Sequence, residues 1–253
     1  MTVPTPWLDV FVDVPPAVAA DVRAFWSAVT GWPESTPRGD RGQFRSLLPP
    51  AGRACLRVQE LAEGPRVHVD LISQDQAADG ARLESLGATR VMTIEEMPIL
   101  RSPGGQILCV VRDDEPRPGI PRERRAATWP RGHRSRVTHV CLDVSPEAYD
   151  AELAFWAAAT GWSPDPASRP EFTFLTPPDP GADAAPALRL LLQRLDRTGE
   201  GPAAHLDLGT DDIPAEVARL VDLGAVDEGP VATWHVLRDP VVGLPFCVTD
   251  QMP

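Results

Sequence analysis

Residues Leu8–Trp32 read LDVFVDVPPAVAADVRAFWSAVTGW, and Thr138–Trp162 read THVCLDVSPEAYDAELAFWAAATGW. At constant offset Asp13, Val14, Phe25, Trp26, Thr30, Gly31 and Trp32 recur as Asp143, Val144, Phe155, Trp156, Thr160, Gly161 and Trp162. A second block follows in both places, Val67–Leu71 (VHVDL) against Ala204–Leu208 (AHLDL), then Leu86-Gly87-Ala88 against Leu223-Gly224-Ala225. A third closes each copy: Leu100-Arg101 through Cys109-Val110 against Leu237-Arg238 through Cys247-Val248. Three matched blocks in one order read as a duplication, and a repeat decides architecture before any single element does. The expected units are domain 1 at residues 1–112, a Pro/Arg-rich linker at 113–136, and domain 2 at 137–253. The arginines and His133 of the linker are expected to be solvated.

Within each copy the pattern changes period. Asp9–Val14 alternates, placing Val10, Val12 and Val14 on one face of a strand and Asp9, Phe11 and Asp13 on the other. Val18, Val22, Phe25, Trp26 and Val29 then fall on one helical stripe that Gly31 terminates. Strands are expected at Gln43–Leu48 and Ala54–Leu61, a further strand from Val67, a helix near Gln76–Leu86, and short strands near Arg90–Thr93, Pro98–Arg101 and Ile107–Val111. Copy two repeats the plan, with Ile213, Val217, Leu220 and Val221 as the buried stripe of its second helix.

The 253 residues suffice for two ordinary domains, and 43% hydrophobic residues are ordinary for globular proteins. All 24 basic residues are arginine, which excludes Schiff-base chemistry and a lysine general base. A net charge of -12 gives no electrostatic reason to seek nucleic acid or anionic membranes. Cys55, Cys109, Cys141 and Cys247 sit singly in apolar runs, as expected of reduced thiols in a cytoplasmic protein. There is no G-x-G-x-x-G, no P-loop and no G-x-S-x-G elbow.

The helix ending F-W-x-x-x-T-G-W, the H-x-D-L strand, the L-G-A helix end and the D-P-x-x-G-x-x-F-C-V close at Asp239–Val248 together resemble the vicinal oxygen chelate superfamily. The likeness is to its glyoxalase-like branch, akin to bleomycin-resistance proteins and dioxygenases. The resemblance implies an α+β fold of two tandem glyoxalase-like domains. Each would be a pair of βαβββ units curling a mixed sheet into a cup, with helices on the convex side and ligand in the concavity. Asp9, Phe11, Asp13, His68 and Asp70 would then line cup 1, and His139, Cys141, Asp143, His205 and Asp207 cup 2.

Metal-using members draw histidines from the first strands of each unit and a glutamate from the last. Carried over, copy one offers Asp9 and His68, with Arg57 or Gln59 and then Cys109, a set that repels a cation. Copy two offers His139 and His205, with Gln193 nearby and Cys247 in place of the glutamate, so a divalent metal there would use His139, His205 and Cys247. The expectation is no cofactor, and a small-molecule ligand held by His139, Asp143, His205, Asp207, Trp234 and Arg238, with His68 and Asp70 as counterparts. His68-x-Asp70 and His205-x-Asp207, with Arg101 and Arg238, are expected to form Asp–His–Arg networks inside the cups.

The function expected is a metal-free cup that sequesters a small organic molecule, as resistance proteins do. The alternative is a metal-dependent lyase, isomerase or dioxygenase with its site in domain 2. A third reading is metal-free acid–base catalysis by His205, oriented by Asp207. Glyoxalase I activity is not expected, because its pair of glutamate ligands is missing. Monomer and homodimer are both compatible with a tandem pair.

Overall fold

The computed structural model describes residues 8–50, 54–113, 126–177, 188–197 and 203–251. Residues 114–125, most of the expected linker, lie outside these. The described chain forms two mixed sheets, and its two halves follow one topology. The first half runs β1 (Leu8–Val14), α1 (Ala19–Thr30), β2 (Phe44–Leu47), β3 (Leu56–Glu60), β4 (Arg66–Ser73), α2 (Gln76–Ser85), β5 (Thr89–Ile94), β6 (Met97–Arg101) and β7 (Ile107–Arg112). Its strand order is β2-β3-β1-β4-β7-β6-β5. The central pair β1/β4 is antiparallel, whereas β1/β3 and β4/β7 are parallel. Each parallel pair needs a crossover, and α1 and α2 supply the helices.

The second half comprises β8 (Ala127–Thr128), β9 (Arg134–Val144), α3 (Tyr149–Thr160), β10 (Ser163–Pro166), β11 (Phe172–Thr176), β12 (Arg189–Arg194), β13 (Ala203–Thr210), α4 (Ile213–Asp222), β14 (Val226–Val231), β15 (Trp234–Arg238) and β16 (Pro245–Thr249). Its order is β10-β11-β12-β9-β13-β16-β15-β14, with β8 paired to β9. The proline-bearing β10 sits at the sheet edge, where a missing N–H costs no ladder bond. In the first half two isolated bridges, Glu34↔Leu47 and Arg38↔Phe44, stand where the second half has β10.

Alternation sets the faces. Val10, Val12 and Val14 are wholly buried, and they join Phe25, Trp26, Phe155, Trp156, Leu220 and Phe246 in one apolar cluster that spans both halves. Trp26 meets Phe246 of β16 edge-on at 5.4 Å, so the first helix of one half packs on the sheet of the other. Both α1 and α3 stop at a glycine with φ of +71°, Gly31 and Gly161, a conformation that any Cβ would strain.

The halves are also clasped reciprocally. Arg82 of α2, steadied by Asp79 at 3.0 Å, donates to the carbonyls of Ala158 and Ala159 at the end of α3. Arg219 of α4, steadied by Glu216 at 2.7 Å, donates to Ala28 and Val29 at the end of α1. A cation at a helix C-terminus meets the negative end of the macrodipole and the unsatisfied carbonyls.

Two expectations are corrected here. His133 is buried rather than solvated: its Nε2 lies 2.8 Å from Glu216, a carboxylate with no solvent exposure that collects partners from His133, Ser135 and Arg219. A buried carboxylate must be paired, and the end of the expected linker is recruited into β8 and the start of β9 to do it. Val221 is 41% exposed, because α4 buries only the stripe through Val217 and Leu220. All four cysteines are buried, and none is in a disulfide.

Candidate functional site

The concave face of the second sheet encloses a cavity of about 300 Å³, walled among others by His139, Phe172, Phe174, His205, Asp207 and Trp234. The concave face of the first sheet encloses about 360 Å³, bordered by Phe11, Arg57, His68 and Asp70. The two are not chemically alike, and the difference begins with strand register.

In the first sheet β1 and β4 pair without interruption, Leu8↔Leu71 and Asp9↔Asp70. In the second, Asp207 faces His139 but Leu208 faces Val137, so Thr138 is an extra residue in β9. A bulge of this kind re-aims side chains, and here it turns the Thr138 hydroxyl toward the Asp207 carbonyl at 3.2 Å. A carbonyl can only accept, so the single hydroxyl proton of Thr138 is committed to it. The Thr138 oxygen, 2.9 Å from His139 Nδ1, must then accept from that nitrogen. His139 therefore carries its proton on Nδ1 and a lone pair on Nε2. It has no solvent exposure, and Nε2 has no hydrogen-bond partner. Burial first, then the charges of Arg189 and Arg136, hold its pKa well below 6.5, so the ring is neutral.

His205 is the opposite case. Nδ1 lies 3.1 Å from Asp143, and Nε2 lies 3.5 Å from Asp207, an ion-pair contact too long to count as a hydrogen bond. Burial would push the imidazole down, but the Cys141 sulfur and Asp143 more than reverse it, and its pKa stands well above 6.5. Burial raises Asp207 to about 6 and the Cys141 thiol to about 12, and it raises Cys247 as well. His68 repeats the clamp with Asp13 at 2.9 Å and Asp70 at 3.2 Å. There burial is outweighed by hydrogen bonds to both carboxylates, and His68 is likewise raised.

At the position of His139 the first cup has Asp9, locked to Arg57 at 2.7 Å with both side chains buried. Arg66 also neutralises Asp13 at 2.8 Å, whereas Ala203 stands opposite Asp143. The second clamp therefore lacks the extra cation of the first.

Aromatic side chains complete the second cup. Trp234 meets Phe172 edge-on at 5.4 Å, and His139 is tilted against Phe174 at 5.1 Å. The guanidinium of Arg169 lies 5.1 Å over Trp234. Phe172 and Phe174 are not among the residues expected from sequence, although the period-two FTF of β11 carries them onto one face.

Among the expected site residues, His139, His205, Asp207, Trp234 and Cys247 border the cavity, and Asp143 sits behind His205. His68 and Asp70 border the first cavity. Arg238 and Arg101 are a correction. Both are exposed at strand ends and donate to the loop carbonyls of Gly243 and Gly105, and Arg238 also meets Glu228 at 3.1 Å. The arginine that joins a histidine–aspartate clamp is Arg66, on Asp13 of the first sheet, while Arg57 binds Asp9.

Metal-capable donors do converge, though not as expected. Ligand atoms of Cys141, His205 and Asp207 lie within 4.8 Å of one another, as do those of His68, Asp70 and Cys109. The set His139, His205 and Cys247 is not such a group among the described residues. No helix among these residues is long and apolar enough to cross a membrane.

The profile of the glyoxalase-like domain family matches residues 9–111 and again 139–249. No curated protein matches the chain. Among solved structures, the 2,3-dioxygenase LapB from Pseudomonas sp. KL28 aligns with a TM-score of 0.61 at 14% identity, over 100% of this chain and 94% of that one. A 2,2',3-trihydroxybiphenyl 1,2-dioxygenase from Sphingomonas wittichii strain RW1 aligns with a TM-score of 0.58 at 12% identity, over 95% and 88%. A xylose isomerase-like TIM barrel/4-hydroxyphenylpyruvate dioxygenase fusion protein gives 0.55 at 15%, over 95% of this chain but 47% of that one, so the chain spans about half its length. At these identities the likeness shows the fold alone.

Proposed function

From the premise that the chain belongs to the glyoxalase-like domain family, in two tandem copies, we propose that its second cup binds and sequesters a small planar organic molecule without a resident metal. The observation that carries this reading is the cavity of about 300 Å³ in which Phe172, Phe174 and Trp234 form aromatic walls around a set of polar side chains that includes His139, His205 and Asp207. A planar ring can lie against these faces, gaining apolar burial and offset aromatic contact.

The donor chemistry supports the metal-free part. A metal needs neutral imidazole and thiolate. His205 instead directs both ring nitrogens at carboxylates, and burial raises the Cys141 and Cys247 thiols, so a metal would have to displace a proton to bind either sulfur. Cys247 also replaces the glutamate that closes the metal set in the superfamily this chain resembles. For the same reason His205 is poorly suited to act as a base; the basic lone pair in the cup belongs to His139.

The second reading, a metal-dependent dioxygenase, lyase or isomerase, draws on the dioxygenases among the structural neighbours and on the close grouping of Cys141, His205 and Asp207. Metal analysis of protein purified without chelator or histidine tag separates the two. The metal-free reading expects no stoichiometric metal, together with thermal stabilisation by planar aromatics. A stoichiometric metal lost in His205→Ala would replace it with the second.

A further inference from the structure

We propose that the second cup selects an uncharged aromatic molecule that donates one hydrogen bond, from a hydroxyl or N–H, to Nε2 of His139, and that it rejects the corresponding anion. This rests on reading that cup as a binding site, and it adds the polarity and charge of what enters.

Among the described residues, the buried unpaired side-chain atoms of the cup are of one kind. Nε2 of His139 has no donor, and neither do Oδ1 of Asp207 or Oδ1 of Asp143 behind it. Among the described residues bordering the cavity, no buried side-chain donor lacks a partner. An orphaned buried acceptor costs about 1–3 kcal/mol of desolvation unless something supplies a proton. A ligand that brings a hydroxyl satisfies it, whereas a carboxylate or phenolate brings His139 Nε2 only a further acceptor.

A cation fits the His139 end no better. The Arg189 guanidinium lies 5.5 Å over Phe174, the ring against which His139 is tilted, and its charge is among the influences that hold His139 neutral. A neutral donor is what remains. The bulge at Thr138 makes this durable, because the hydroxyl anchored on the Asp207 carbonyl leaves Nδ1 no other role than donor. The first cup has no equivalent, since Asp9 there is locked to Arg57.

The test is calorimetric titration of the full chain with 4-nitrophenol, below and above the pH at which it ionises, beside 4-nitroanisole, which keeps the ring and lacks the donor. The expected result is 4-nitrophenol binding about tenfold more tightly than 4-nitroanisole while un-ionised, the ratio that one net hydrogen bond supplies. That advantage should fall about tenfold per pH unit once the phenol ionises, with 4-nitroanisole unaffected. His139→Leu should level the two compounds, and His139→Gln, which keeps an acceptor, should restore part of the preference. If His139→Leu fails to fold, the pH arm on the unaltered chain still decides. Equal affinities, or tighter binding of the phenolate, would overturn the selectivity and leave the planar-ligand reading standing. Binding of neither compound would overturn both.

Discussion

Replacing His139 by leucine should change how the stability of the protein depends on pH, and the size of the change follows from its surroundings. In the folded chain the ring is neutral because it is buried, has Arg189 and Arg136 nearby, and spends its one N–H on Thr138. In the unfolded chain it titrates near 6.5. A depressed folded pKa means that the stability contribution is fully present above 6.5 and is lost as pH falls below it, since only the unfolded chain takes up the proton. Between pH 7.5 and 5.5 the ratio of unfolded-state binding terms changes about tenfold, which is about 1.4 kcal/mol. Urea unfolding of both proteins at the two pH values measures it. The stability of the natural chain relative to His139→Leu should drop by that amount on acidification. Asp207, raised to about 6, gains a proton in the folded state as pH falls through that value and so acts in the opposite direction. It is present in both proteins and cancels in the difference. A difference that stays constant with pH would mean that His139 takes up a proton as readily in the fold as in the unfolded chain, and one that grows on acidification that the folded ring is the more readily protonated; either result would refute the neutral, singly protonated ring deduced from Thr138.

Other expectations can be checked by thermal or urea unfolding. Asp9→Ala removes the carboxylate from a buried ion pair with Arg57 and should cost about 3–5 kcal/mol, whereas Asp9→His with Arg57→Leu, which copies His139 and Leu191 of the other half, should cost far less. Gly104→Ala should destabilise by about 1–3 kcal/mol, because its Cβ would stand 2.8 Å from the carboxyl carbon of Glu152, a buried group that already accepts from Ser102 and Trp156. Arg82→Met and Arg219→Met should each lower stability by about 1–2 kcal/mol, by uncovering helix-end carbonyls in the opposite half.

Much of this was legible in the chain itself, for a physical reason. Strand alternation has a period of two, so placing Val10, Val12 and Val14 on the helix side carries Asp9, Phe11 and Asp13 to the other, and the same parity puts His139, His205 and Asp207 in one cup. What alternation does not reveal is a register shift. Thr138 reads as an ordinary strand residue, and only its failure to pair with β13 makes it the residue that fixes the His139 proton. Parity also says nothing about reach. Arg238 sits on β15 with Trp234, two residues apart on each side of Val236, yet its long side chain ends at Gly243 and Glu228 instead of in the cup. His133 was misjudged because its partner, Glu216, is distant in sequence and became visible only when α4 was packed against β9.

The crossed arginines have a consequence for how the molecule comes apart. Each half ends its first helix on a guanidinium owned by the other, so neither can loosen without exposing carbonyls in its neighbour. Heating should therefore give one transition rather than two. By linkage, a molecule bound only in the second cup should also slow amide exchange in α1. The empty half would report on the occupied one.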